Sequence, residues 1–448
     1  MNRHQIPAQT LRSLAAGNGG TTAVTMLAAA EHSRSLLLLY GVVEMARESA
    51  HPDYGLARSA YDLLAAIERQ APEHANAVVR WPSVGAWAGR TLRTLRGQLS
   101  LPGATPAGLA AVAAAAAVRA GFPCSIQVQA RDGAVMLPSL GLAGLPRTAA
   151  HRDTAVLRAR SDAAELAAGG QRTLIPGTPH LDAPGWTGLR RIRSRWDDMR
   201  IQMVIDDLDP YRLAAPLLGE RLTAGQVAQW QTALRGGWRI LCQHHRDTAA
   251  ELRAAIRVLV PLDVSAPGMR SATSVENFGS IGISSPAGPL LFAVSLAHEV
   301  QHAKLSALRN FVQLTHPDDG RRYYAPWRED ARPVSGLLQG AYAYLGVAGF
   351  WRRQRHEEAG AGAVAAHAEY ARWRAAVLLA TTQLLESGQL TATGQSFVAT
   401  MANAARAWHA DSVPAQAAGI ARASARSHAE RWRIRHGREL DPEVPYQR

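Results

Sequence analysis

"LAHEVQHAKLSAL", residues 296–308, decides how the rest of the sequence is interpreted. The stretch has no proline or glycine, so it predicts an uninterrupted helix. His298 and His302 are four residues apart and project about 40° from each other on a helix, so both imidazoles face one ion. Glu299 lies about 100° further round the helix, beside that ion.

The spacing His-Glu-x-x-His is typical of a two-histidine metal platform with an adjacent acid. A structural or surface pair of histidines is the alternative interpretation. Alanine at 297, with small or apolar residues at 293, 294 and 296, favours a helix in a core, where buried histidines need partners. We therefore interpret His298 and His302 as metal ligands.

A catalytic site of this kind needs a third protein ligand. The longer metzincin pattern requires glycine at 305 and histidine at 308, and this chain has Leu305 and Leu308. A predicted helix at 335–355 has no acid in its first half; its metal-capable residues are Gln339, Tyr342 and Tyr344. Three glutamates follow later and are expected to be solvated: Glu357, Glu358 and Glu369.

Composition limits the class of protein. The 448 residues carry a formal charge of +13, Lys304 is the only lysine, and the two cysteines are Cys124 and Cys242. Two isolated cysteines make neither a disulfide framework nor a thiolate metal site. Without a transmembrane run or a nucleic-acid motif, we expect a soluble cytoplasmic protein that binds neither membrane nor nucleic acid.

The fold class predicted from the sequence is α+β and mainly α-helical, in two parts. Residues 1–180 form an N-terminal helical region with a β-hairpin around Asp132-Gly133 and another helix at 153–168. A proline- and glycine-rich linker follows at 175–188. Residues 189–448 form a C-terminal zincin-like metal domain, with a strand within 275–284 before the motif helix and several helices after it.

The sequence resembles the HExxH-type peptide β-hydroxylases of ribosomal-peptide maturation systems, including the FxSxx-COOH type. The most specific likeness is "RRYYAPWREDARPVSGLLQGAYAYLGVAGFW" at 321–351. "SATSVENFGSIGIS" at 271–284 and "ESGQLTATGQSFV" at 386–398 also match. Patches in the N-terminal half extend the likeness through nearly the whole chain: "RWPSVGAWAGRTLRTL" at 80–95 and "DGAVMLPSLG" at 132–141.

The resemblance implies an oxygenase dependent on iron(II) and 2-oxoglutarate, acting on a precursor peptide, with a radical-SAM maturase as a possible partner. Iron would be bound by His298 and His302, and three open positions would take a two-pronged oxo acid and dioxygen. The family often has a histidine where this chain has Tyr344. The third ligand therefore stays open among Tyr344, Gln339 and a water.

The far carboxylate of 2-oxoglutarate needs a cation, and a two-pronged guanidinium suits it. Arg328 and Arg332 are the candidates, with Tyr324 as a hydroxyl donor; ordinary surface arginines are the alternative. The peptide is expected to add to an exposed edge of the strand at 275–284.

Three functions follow from these patterns. The first is peptide hydroxylation, in which Glu299 orients a ligand or substrate. The second is a zinc metallopeptidase, in which Glu299 is the general base. The third is a catalytically silent peptide-binding partner of a maturation enzyme, consistent with the lack of a strong third ligand.

Overall fold

A computed structural model describes residues 4–101, 103–145, 154–214, 217, 219–263 and 271–437. Within these ranges the protein is a mixed α and β structure with thirteen α-helices and twelve short strands. The predicted fold class, mainly helical with a minor β component, is confirmed at that level. None of the described helices has the length and apolar composition needed to cross a membrane.

The helices have the following bounds: α1 Ala8–Ala15, α2 Gly20–Glu48, α3 Tyr54–Gln70, α4 Pro72–Val79, α5 Pro82–Leu95, α6 Gly108–Ala120, α7 Ala224–His244, α8 Arg246–Ala255, α9 Pro289–Arg309, α10 Val334–Gln354, α11 Gly360–Glu386, α12 Ala392–Ala407 and α13 Ala415–His436. The strands are β1 Cys124–Gln129, β2 Ala134–Leu137, β3 Gly141–Gly144, β4 Thr154–Ala159, β5 Ala164–Ala168, β6 Gln171–Ile175, β7 Trp186–Gly188, β8 Arg190–Trp196, β9 Met199–Ile205, β10 Val258–Pro261, β11 Ser271–Ala272 and β12 Ser280–Ile283.

The predicted hairpin at Asp132-Gly133 is confirmed at its turn, but its two strands do not continue to pair with each other. Both residues have the positive φ angles of a tight turn, 52° and 74°, and a single bridge joins Arg131 to Ala134. The strands on the two sides then separate. β1 pairs with β4 in a four-stranded sheet, whereas β2 pairs with β3 in a three-stranded sheet. Local turn chemistry is present, but long-range pairing determines which strands meet.

The predicted helix at 153–168 is wrong. Residue 153 lies outside the described residues, and the remainder forms β4 and β5, an antiparallel pair. Ala155, Leu157 and Ala159 are buried while Thr154 and Arg158 are exposed, which is the two-residue period of a strand. The many alanines in this stretch favoured the helical interpretation.

A five-stranded sheet of order β11-β12-β10-β9-β8 supports the motif helix. β9, β10 and β12 run parallel, and the short β11 pairs antiparallel with β12. All residues of β10 and β12 are buried. β12 lies between two other strands, so the prediction that a peptide adds to an exposed edge of the 275–284 strand is corrected: β11 is the edge strand on that side.

Contacts cross the predicted division between residues 1–180 and 189–448. α2 packs on α8 and α9, and α1 packs on α12. The turn between α1 and α2 is fixed by polar groups of α8 and α9: Glu251 accepts from Gly20 N at 2.9 Å, and Gln301 donates to Gly17 O at 2.9 Å. Lys304 lies at the centre of these contacts. It donates to Glu251 at 2.7 Å and to Asn18 O at 3.2 Å.

We predict that Lys304→Met lowers the free energy of unfolding by about 3 to 5 kcal/mol, because it leaves the Glu251 carboxylate buried without its cation. Both side chains are almost inaccessible, at 1% and 4% exposed. Urea denaturation measures the change. Adding Glu251→Gln, which keeps an oxygen for Gly20 N, should restore part of the loss. A loss below about 1 kcal/mol, typical of surface ion pairs, would contradict the prediction.

Candidate metal centre

α9 carries the two histidines between the five-stranded sheet and α10. It starts at Pro289, a residue whose fixed φ suits the first helical position. Phe292, Leu296 and Val300 are buried in the core that the helix shares with α7, β12 and α10. His298 and His302 are partly exposed, so the helix is anchored on one side and accessible on the other.

The two imidazoles face each other. Their Nε2 atoms are 3.1 Å apart, and their ring centroids are 4.7 Å apart at an interplanar angle of 80°. If two nitrogens each lie about 2.1 Å from one ion and the N–ion–N angle is about 90°, the nitrogens are about 3.0 Å apart. The observed separation is that of a hydrogen bond between the two rings, and it is also close to the spacing that a single shared ion requires. Burial and the neighbouring His302 lower the pKa of His298, which favours the neutral form that binds metals.

Gln339 contacts the opposite nitrogen of His302. Its Oε1 lies 3.2 Å from His302 Nδ1, and its Nε2 donates to Ser306 Oγ at 3.0 Å. When Nδ1 donates to this amide, Nε2 is left unprotonated and faces His298. This contact suits Gln339 as a residue that orients His302. It suits Gln339 less well as a further ligand of the same ion.

Glu299 is buried beside the pair. It is 1% exposed, its Oε1 lies 3.8 Å from His298 Nε2, and its Oε2 has no hydrogen-bond partner among the described residues. Burial raises the pKa of Glu299, and His302 and the hydroxyls of Ser271 and Thr273 partly oppose that rise. A buried carboxylate oxygen without a partner is costly and is common where a ligand or water binds.

Tyr344 forms an aromatic wall at the pair. Its ring packs on Trp327 and Trp373, with centroid distances of 4.8 and 4.2 Å, and lies 5.0 Å from His298 in an edge contact. Burial raises the pKa of Tyr344 to about 12, so the phenol is neutral in the absence of a metal. To serve as the third ligand, Tyr344 would have to lose its proton when the ion binds.

The predicted co-substrate residues lie on the loop before α10. Arg328 and Arg332 both donate to Asp330, at 2.6 and 3.0 Å, so one carboxylate bridges them. Tyr324 is buried and shares a 2.8 Å hydrogen bond with His428 of α13. The structure therefore brings the two arginines together and places Tyr324 at the contact between the loop and the last helix.

Sequence reasoning did not identify Trp373 and Arg372 as part of this region. The Arg372 guanidinium lies 4.2 Å from the Trp373 ring, and its charge opposes the burial that raises the pKa of Tyr344. Both residues come from α11, which packs along α10. No motif or spacing connects positions 344 and 373, and only the packing of the two helices brings them together.

In the described part of the chain, no group of three or more His, Cys, Asp or Glu side chains could hold a metal ion. The candidate centre thus consists of two imidazoles, a nearby carboxylate and a phenol. No protein-family model matches the chain, and no curated protein matches it.

We predict that the protein binds one divalent ion and that His302→Ala abolishes this binding. Gln339→Leu should weaken affinity about 10- to 100-fold, because it removes the group that orients His302 without removing a ligand. Isothermal titration with zinc, alongside iron(II) under anaerobic conditions, measures both effects. Equal affinities for all three proteins would show that the ion binds elsewhere.

Proposed function

We propose that the protein is an iron(II)- and 2-oxoglutarate-dependent oxygenase that hydroxylates a ribosomally made precursor peptide in the cytoplasm. The observation that carries the proposal is the pair of facing Nε2 atoms of His298 and His302, 3.1 Å apart on one face of α9. The family resemblance supplies the choice of iron and oxo acid. It also suggests a radical-SAM maturation enzyme as a partner and a zincin-like arrangement for the domain.

When bound, iron with 2-oxoglutarate and dioxygen would supply the oxidation that converts a C–H bond to C–OH, with succinate and carbon dioxide as the other products. His298 and His302 would hold the metal. A third ligand would come from Tyr344 or a water. Gln339 would keep Nε2 of His302 directed at the ion.

The other residues would shape the site and exclude water from it. Trp327, Tyr344 and Trp373 would form its apolar wall and exclude water from one side. Arg328 and Arg332 would bind the far carboxylate of the oxo acid after exchanging Asp330 for it, since a guanidinium forms the same two-pronged contact with either carboxylate. Glu299 would position substrate or a bound water through its free oxygen.

The precursor peptide would enter along β11. This two-residue edge strand pairs with β12 and contacts α9, and Ser271, its first residue, is close enough to influence the pKa of Glu299. An extended peptide that adds to a sheet edge gains main-chain hydrogen bonds and presents alternate side chains to one face. Addition here would present those side chains to the histidine pair.

A zinc metallopeptidase is the second candidate, and one observation favours it. Glu299 combines burial, a raised pKa and an unpartnered oxygen next to His298, as a general base for a metal-bound water would. A silent peptide-binding protein is the third candidate, and the small ligand set of the centre favours it.

The test is to load the purified protein with iron(II) or zinc, add the precursor peptide encoded beside it, and measure the peptide mass. We expect a gain of one oxygen atom that requires iron, 2-oxoglutarate and dioxygen. Peptide cleavage with zinc would overturn the proposal in favour of the peptidase. Binding without any mass change would favour the silent partner.

Glu299→Gln separates the two enzymes further. We expect a partial loss of hydroxylation, because the amide retains the shape and one acceptor of the carboxylate. A peptidase would lose nearly all turnover, because the amide cannot accept the proton of water. Glu68→Gln, an exposed change on α3, is the matched control.

A further inference from the structure

A cavity lies at the junction of α2, the turn between α4 and α5, the end of α8, and the segment 276–279 that precedes β12, and its lining contains neither His298 nor His302. Its volume is about 40 Å³, and its lining includes His32, Arg80, Trp81 and Arg257. The cavity uses the residues before β12, whereas the histidine pair lies on α9, the helix that follows β12 in the chain.

Two arginines in the lining have no counter-ion among the residues that the structure describes. Neither Arg80 nor Arg257 forms a hydrogen bond or ion pair with another described side chain. Arg80 and Arg257 are both exposed residues, and partial burial of the Arg257 guanidinium, together with the nearby charge of Arg80, lowers the pKa of Arg257. Two guanidinium groups that repel each other without a carboxylate between them create a strong local preference for an anion.

The two carboxylates in the lining already form ion pairs with other arginines. Glu276 pairs with Arg90 at 2.9 Å and also with Arg93. Glu31 accepts from Asn310 at 2.5 Å and pairs with Arg34 at 3.5 Å. The positive charge of Arg80 and Arg257 is therefore not neutralised by the acids next to them.

Uncharged donors complete the cavity. Trp81 is 8% exposed, and its indole Nε1 has no hydrogen-bond partner among the described residues. Nδ1 of His32 is also buried without a partner. Burial, followed by the charge of Arg80, lowers the pKa of His32 to about 4, and a hydrogen bond with Asn76 partly opposes this shift, so the ring is neutral near pH 7. When Asn76 donates to Nε2, Nδ1 carries the proton and can donate to a ligand. Buried donors without acceptors are rare in native proteins.

We propose that this cavity, the Arg80–Arg257 pocket, binds a small oxyanion of phosphate or carboxylate size. A water molecule needs about 10 to 15 Å³ of such volume, so the cavity has room for roughly three waters. That space suits one oxyanion. Arginine binds both phosphate and carboxylate through two parallel hydrogen bonds. The proposal is independent of the activity assigned to the histidine pair.

Thermal unfolding and isothermal titration with inorganic phosphate test the pocket, and N-acetylglutamate α-amide provides a carboxylate probe, at constant ionic strength. We expect saturable binding that weakens at least tenfold in Arg257→Gln and is lost when Arg80→Gln is added. Arg426→Gln, an exposed change on α13 with the same loss of charge, should bind as the wild type does.

The two probes distinguish a phosphate ligand from a carboxylate ligand. If only phosphate binds, the ligand of the pocket is a free or esterified phosphate. If both probes bind comparably, the ligand is an acidic side chain. Either result supports the proposal. Without ligand, Arg257→Gln should unfold at or above the wild-type temperature, because it removes the repulsion between Arg80 and Arg257. Absence of saturable binding, equal binding by the double variant, or a destabilised ligand-free Arg257→Gln would each overturn the proposal.

Discussion

The facing imidazoles of His298 and His302 are the interaction on which the functional account depends. They stay 3.1 Å apart because one helical turn separates them and because α9 is fixed by its buried side between the sheet and α10. Gln339 adds a specific restraint on one ring. A mobile surface helix with the same spacing would provide the residues but not a fixed geometry.

The opposite side of α9 explains how the two halves of the chain support one site. Gln301 and Lys304 reach into the turn between α1 and α2, and Lys304 pairs with Glu251 of α8. The N-terminal helices are therefore attached to the same helix that carries the histidines. A buried ion pair of this type adds less to stability than an apolar contact of equal volume, but its loss is expensive, so it favours one arrangement of the helices over others.

Periodicity in the sequence predicted most of the helices well, including α2, α9 and α10, because a buried apolar stripe repeats every three to four residues. It failed at β4 and β5, where alanine-rich composition concealed a two-residue period, and at Asp132-Gly133, where a correct turn joins strands of different sheets. At the candidate centre, local spacing was enough to predict that the rings of His298 and His302 face each other. The positions of Gln339, Trp373 and Arg372 depend on how α9, α10 and α11 pack, and a single sequence carries no direct record of that packing.

X-ray absorption spectroscopy of the iron(II)-loaded protein tests the central claim most directly, because it counts the imidazoles bound to the metal. The account predicts one iron per chain with two imidazole nitrogens among its nearest ligands in the wild type, and loss of the bound iron in His302→Ala. A wild-type spectrum without imidazole scattering, or a His302→Ala spectrum identical to that of the wild type, would contradict it.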